Sequence, residues 1–274
     1  MLRKLLRKTP TLWNIAFRQL TSKRVAHARA FMERMYLYPH EREAILADYG
    51  YSISRTFRGL PQVLDIEEAV RSVAADGVDG AFVECGTYTG GASAFALRSI
   101  LRNEKDRVTR QYWGFDSFEG MPRPTAADGD YALRWMSSVA SRSAVGALAS
   151  GELVGSDVNA ADYETCLSYL KATGYPVSQI HLVKGWFQNS LPVERGKIGP
   201  IAILRMDGDF YESTKTVLEN LYDLVSPRGI VIIDDYGGFE GCRKAVDEFL
   251  ATRGAMPHLR YVDHSIRSFM KLSS

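Results

Sequence analysis

Two acid pairs carry the first chemical signal. Met206-Asp207-Gly208-Asp209 closes one apolar run and Ile233-Asp234-Asp235-Tyr236 closes another. If those runs are adjacent strands, three or four carboxylates converge, and their repulsion at low dielectric calls for a cation or for protonation. Oxygen donors without His or Cys select a hard divalent ion, Mg2+ first, with Mn2+ or Ca2+ as alternatives. Capping of the following helices by Asp209, Glu212 and Asp234 is the plainer use of such acids. Capping does not, however, need a double acid at one strand end opposite another acid.

A second signal is the turn Glu84-Cys-Gly86-Thr87-Tyr88-Thr-Gly90-Gly91, which follows a short apolar run and precedes a helical pattern. Glycines there let the backbone turn sharply and approach a ligand closely. The spacing is neither that of a dinucleotide fingerprint nor that of a P-loop. A carboxylate beside the turn favours a ligand with positive charge, and S-adenosylmethionine, with its ammonium and sulfonium, fits. Asp116 ends the next apolar run, Gln111-Tyr-Trp-Gly-Phe-Asp116, where an acid can accept ribose hydroxyls. Trp186 and Phe187 follow Lys184 and either flank adenine or the acceptor or pack in the core. Tyr211 and Tyr236 flank the acids, and His264 reads as a surface or packing residue.

These residues need a scaffold, and the chain alternates strand and helix from residue 80 onward. Strand patterns fall at 80–85, 111–116, 180–184, 200–206 and 229–233, with an antiparallel pair expected within 259–272. Helical patterns cover 92–101, 161–172, 213–224 and 242–250. Residues 117–155, rich in Ser, Ala, Gly and Pro, read as a long connection that is either a lid or mobile. Residues 12–75 read as helical. The expectation is an α/β fold with a doubly wound, mostly parallel, seven-stranded Rossmann-like sheet and an N-terminal helical extension. An arm and lid would occupy 1–75 and the main domain 76–274. The strand ends then bring Glu84, Asp116, Lys184, Asp207 and Asp234–Asp235 to one edge.

Composition narrows the class. The chain has 274 residues, 46% apolar and 24% charged, with a formal net charge of +2. That balance excludes disordered, collagenous and disulfide-miniprotein chains, and no run is long enough for a spanning helix. Eight of the 34 basic residues fall in the first 32 positions, where no acid occurs, so the remainder is acidic. An acidic body does not suit nucleic acid. The basic arm, with Leu2, Leu5, Leu6, Leu12, Trp13, Ile15 and Phe17 among its cations, either packs on the body or touches a membrane surface through residues 1–30. A cleaved organelle presequence is a third reading of the same composition. Cys85, Cys166 and Cys242 show no metal or disulfide spacing, which points to a reducing, cytoplasmic setting.

Five blocks occur in order: Val83-Glu-Cys-Gly…Gly-Gly91, Asp116-Ser-Phe-Glu-Gly-Met-Pro122, Lys184-Gly-Trp-Phe187 with Leu191-Pro192, Leu204-Arg-Met-Asp-Gly-Asp-Phe-Tyr-Glu-Ser-Thr214 and Ile232-Ile-Asp-Asp-Tyr-Gly237. Over about residues 50–250 the chain resembles the macrocin O-methyltransferase family. The resemblance implies a class I, S-adenosylmethionine- and magnesium-dependent enzyme that methylates hydroxyls of deoxysugars. It implies Asp207, Asp234 and Asp235 as metal ligands, with Asp207 also the candidate base. Cofactor contacts are expected from Glu84, Gly86, Thr87, Tyr88, Gly91, Asp116, Ser117, Gly185 and Trp186. The acceptor would be a sugar on a small natural product or glycan, and a homo-oligomer is expected. Two other readings are a D-x-D glycosyltransferase using Asp207 and Asp209, and a non-catalytic scaffold docked on a membrane's inner face.

Overall fold

Nearly continuous apolar runs such as 81–85 and 201–206 give the central strands two buried faces. In the structure, a computed structural model that describes residues 10–34, 39–56, 59–104, 109–139, 153, 155, 156, 158–254 and 256–272, those faces belong to a single sheet. Its strands are β1 (Ala81–Cys85), β2 (Tyr112–Asp116), β3 (Ile180–Lys184), β4 (Ile201–Met206), β5 (Val225–Ile233), β6 (Arg260–Tyr261) and β7 (Arg267–Met270). They run in the order β3-β2-β1-β4-β5-β7-β6. The first five are parallel, β7 is antiparallel to β5, and β6 is antiparallel to β7.

Strand residues two apart point the same way, so each face of the sheet has its own core. Phe82, Tyr112, Ile203 and Ile232 pack under the N-terminal helices. Val83, Phe115, Leu204 and Val231 pack against the other helical layer. The helices are α1 (Pro10–Arg34), α2 (Pro39–Ser52), α3 (Leu60–Ala75), α4 (Gly91–Glu104), α5 (Gly129–Val139), α6 (Tyr163–Lys171), α7 (Phe187–Ile198), α8 (Tyr211–Leu221) and α9 (Glu240–Thr252).

Ala28, Met32, Ile45, Leu46, Val63 and Val70 join the same core as Phe82, so α1, α2 and α3 each contribute to the body's apolar interior. Buried ions reinforce this. Asp48 of α2 pairs with Arg98 (2.6 Å) and with Arg102, and Arg102 also pairs with Glu67 of α3. Arg29 of the basic arm pairs with Glu43. The cations and leucines at positions 1–9 lie outside the described residues. Among the described residues no helix is long and apolar enough to cross a membrane.

Three elements differ from the sequence expectation. A helix, α7, fills 187–198, where Pro192 and Gly196 had masked the helical pattern. The connection after β2 contains α5 rather than only loop; residues 140–152, 154 and 157 of it lie outside the described residues. The strand expected at 229–233 starts earlier, at Val225, and its register with β4 is irregular, since Ile201 pairs with Val225 and Ile203 with Ile230.

Chain direction across the sheet reverses between β1 and β4. A crevice opens beyond the carboxyl ends of the strands at such a switch point. The amide of Asp207 donates to the Cys85 carbonyl (2.8 Å) and that of Asp234 to the Met206 carbonyl (2.9 Å), so the three tips end level.

Candidate active site

Register decides which acids meet. Glu84 lies opposite Arg205, and Arg205 opposite Ile232. Two residues further on, Asp207 and Asp234 therefore follow on the same face of the sheet. One carboxylate oxygen from each of Asp207, Asp234 and Asp235 lies within 4.8 Å of the others. This is the convergence the two acid pairs predicted. It joins the tips of β4 and β5, rather than Asp207 with Asp209 as a D-x-D site would require.

The acids are not consumed by helix capping. Phe210 and Phe239 precede α8 and α9 as N-caps and supply no side-chain cap, and the Tyr211 amide donates instead to Asp128 (2.6 Å). Asp128, from the connection after β2, was not singled out by sequence. Tyr211 donates to Glu248 (2.6 Å) and Tyr236 to Asp247 (2.7 Å), so neither hydroxyl serves the metal-type carboxylates. His264 is exposed, as expected.

Arg205 is the residue sequence reasoning missed. Only 2% exposed, it pairs with Glu84 (2.5 Å), Asp207 (3.0 Å) and Asp234 (3.1 Å) at once. Burial works against its charge, but Asp207 and Glu84 outweigh that and raise its pKa above the usual arginine value. The available signal was a lone Arg inside the most apolar strand, one strand away from an equally lone Glu.

Glu84 is fully buried. It accepts from Ser93 and from Tyr112 (3.1 Å) as well as from Arg205, and burial raises its pKa despite the arginine. Expected as a cofactor contact, Glu84 does not line the cleft. Its place on the inward face of β1 makes it a support beneath the floor.

The glycine turn sits directly on the acid cluster. Gly86 has φ +100°, and a Cβ there would lie 1.9 Å from the Asp207 carbonyl oxygen. Only glycine permits that contact. Asp116 pins the other side of the turn. Its two oxygens each accept a backbone amide at 2.7 Å, from Tyr88 and from Phe118. Both donors have positive φ (52° and 58°), a conformation that costs a non-glycine residue about 1–2 kcal/mol. The paired amide bonds hold that strain in place, while burial raises the Asp116 pKa against their pull. Each oxygen keeps acceptor capacity for a further donor.

A cleft of about 890 Å³, its open mouth included, runs along these tips. Gly86, Thr87, Tyr88, Gly91, Asp116, Ser117, Trp186 and Asp207 line it. Gly185 stands behind Trp186, its amide bonded to the Asp116 carbonyl (2.9 Å). Arg55, Arg205 and Asp209 also line the cleft.

Comparison with known proteins agrees with this geometry. A family model described as Macrocin-O-methyltransferase (TylF) matches residues 9–149 and 164–271. The chain is 35% identical over 212 residues to the 8-demethyl-8-(2,3-dimethoxy-alpha-L-rhamnosyl)-tetracenomycin-C 4'-O-methyltransferase of Streptomyces olivaceus, covering 77% of this chain and 74% of that one. It is 34% identical over 226 residues to the demethyldecarbamoylnovobiocin O-methyltransferase of Streptomyces niveus, covering 82% and 79%. The solved structure of the O-methyltransferase NovP aligns with a TM-score of 0.66 and 31% identity, over 80% of this chain and 83% of that one. With the motifs, the sheet order and these relatives in agreement, the chain belongs to the macrocin O-methyltransferase family.

Proposed function

We propose that this enzyme transfers a methyl group from S-adenosylmethionine to a sugar hydroxyl of a glycosylated natural product, with a divalent cation held by Asp207, Asp234 and Asp235. One observation carries the reading: those three carboxylates converge against the same glycine turn that lines the cleft. The relatives' acceptors, a rhamnosyl tetracenomycin and a demethylated novobiocin, support the sugar.

The donor set fits a hard cation. Glu84, Asp207 and Asp234 share one guanidinium, that of Arg205, and Asp235 lies beside the last two, so the carboxylates outnumber this cation. Two carboxylates about 5 Å apart repel by roughly 3 kcal/mol at an effective dielectric near 20. A bound divalent ion would offset that repulsion, and oxygen donors alone suit magnesium, manganese or calcium. Such an ion lowers the pKa of a hydroxyl bound to it.

The chain's own residues do the rest. Asp207, at the cleft wall and 18% exposed in its side chain, takes the hydroxyl proton at a carboxylate oxygen. Asp116 accepts from the ribose hydroxyls, and Trp186 bounds the cleft at the adenine end. The glycine turn brings the donor's methyl carbon beside the acid cluster, and positioning of this kind supplies much of the rate.

The test is incubation with S-adenosylmethionine and magnesium against a panel of deoxysugar glycosides that includes demethyldecarbamoylnovobiocin. Products are read by mass and by the position of the new methyl signal. Methylation on sugar oxygen supports the reading. Methylation only on a phenol or carboxylate, or unchanged turnover after metal stripping, contradicts it.

A further inference from the structure

S-adenosylmethionine has a single anionic group, the carboxylate of its methionine end, and the cleft is rich in acids. Asp116, Asp207 and Asp209 line it, and only two cations do so among the described residues, Arg55 and Arg205. Arg205 is already surrounded by three carboxylates. Arg55 pairs with no carboxylate among the described residues.

Arg55 is held in place without spending its charge. Its carbonyl accepts from Thr89 at the end of the glycine turn (2.7 Å), and a Cβ on Gly91 would lie 2.4 Å from that same carbonyl. Its guanidinium lies over the Tyr169 ring at 4.6 Å, and Tyr169 stacks on Tyr51 with centroids 4.9 Å apart and planes 7° apart. Arg98 covers the far side of Tyr51 at 5.0 Å and is itself tied to Asp48. Stacking uses the face of a guanidinium and leaves its N–H edge available for a carboxylate.

We infer that Arg55 receives the donor's carboxylate, fixing the methionine end of S-adenosylmethionine at the margin of the N-terminal helices. The inference rests on the donor assigned above. It makes Arg55 a positioning residue whose removal loosens the donor without altering the acid cluster.

The experiment is calorimetric titration of wild type, Arg55→Gln and Arg55→Lys with S-adenosylhomocysteine and with its analogue lacking the carboxylate. A charge-assisted hydrogen bond predicts that wild type prefers the intact ligand by about 10- to 100-fold. Arg55→Gln should bind the two ligands alike, at the analogue's affinity, and Arg55→Lys should keep part of the preference. A melting temperature close to wild type in both variants excludes a folding effect. If wild type binds the two ligands equally, or Arg55→Gln keeps the full preference, the Arg55 assignment is overturned while the methyltransferase reading stands. If wild type binds neither, the donor reading fails, and this inference with it.

Discussion

Arg205→Met removes a buried positive charge that faces Glu84, Asp207 and Asp234, while keeping much of the side-chain length. The methionine fills most of the vacated space, so the packing penalty is small. Electrostatics dominates instead: stripping one partner from a buried ion pair costs about 3–5 kcal/mol, because the other charge stays buried. In a chain of this size 1 kcal/mol moves the melting temperature by roughly 2–4 °C, so the variant should melt about 10 °C lower. The assay is thermal denaturation by circular dichroism in a chelating buffer. Glu84→Gln keeps an acceptor for Ser93 and Tyr112 and sheds one negative charge, so the double variant should recover part of the loss. The pair should show a coupling of about 1–3 kcal/mol. An Arg205→Met melting temperature within 2 °C of wild type, or strict additivity with Glu84→Gln, would refute the charge argument.

Asp116→Ala frees the amides of Tyr88 and Phe118, so affinity for S-adenosylhomocysteine should fall at least tenfold by calorimetry; retained affinity would mean the turn needs no clamp. Gly86→Ala forces a Cβ into the Asp207 carbonyl and should damage ligand binding and turnover together, which parallel titration and kinetics would reveal. Asp263 gives a pH signature. Burial opposes its ionisation, yet amides of Ile266 and Ser265 and the Gln62 side chain lower its pKa below 3.8. Its contribution is therefore present above the unfolded value and lost as pH falls through the folded one. An Asp263→Asn variant should lose less stability than wild type between pH 5 and pH 3 in acid titrations followed by fluorescence.

Much of this was legible in the residues because strand and turn chemistry is local. The apolar runs ending in Asp207 and Asp234 could pair in few ways, and parallel register then aligned their acids. The glycine turn was readable for the same reason. What escaped were long-range partnerships. Arg205 is one strand away from Glu84 but 121 residues from it in sequence, and nothing local marks the pair. Arg55 lies over the ring of Tyr169, far from it in sequence, and Asp128 accepts from the first amide of a helix 83 residues downstream. Helix α7 was hidden by Pro192, which the body tolerates within its first turns.

Manganese binding, followed by the loss of its free-ion paramagnetic signal, tests the central claim most directly. Wild type should bind one ion, Asp234→Asn should bind it at least tenfold more weakly, and both should take up S-adenosylhomocysteine with similar affinity. Methyl transfer by wild type should stop on chelation and return when magnesium is restored. Unaltered manganese binding by Asp234→Asn, or full turnover in metal-free buffer, would contradict a cation held between the tips of β4 and β5.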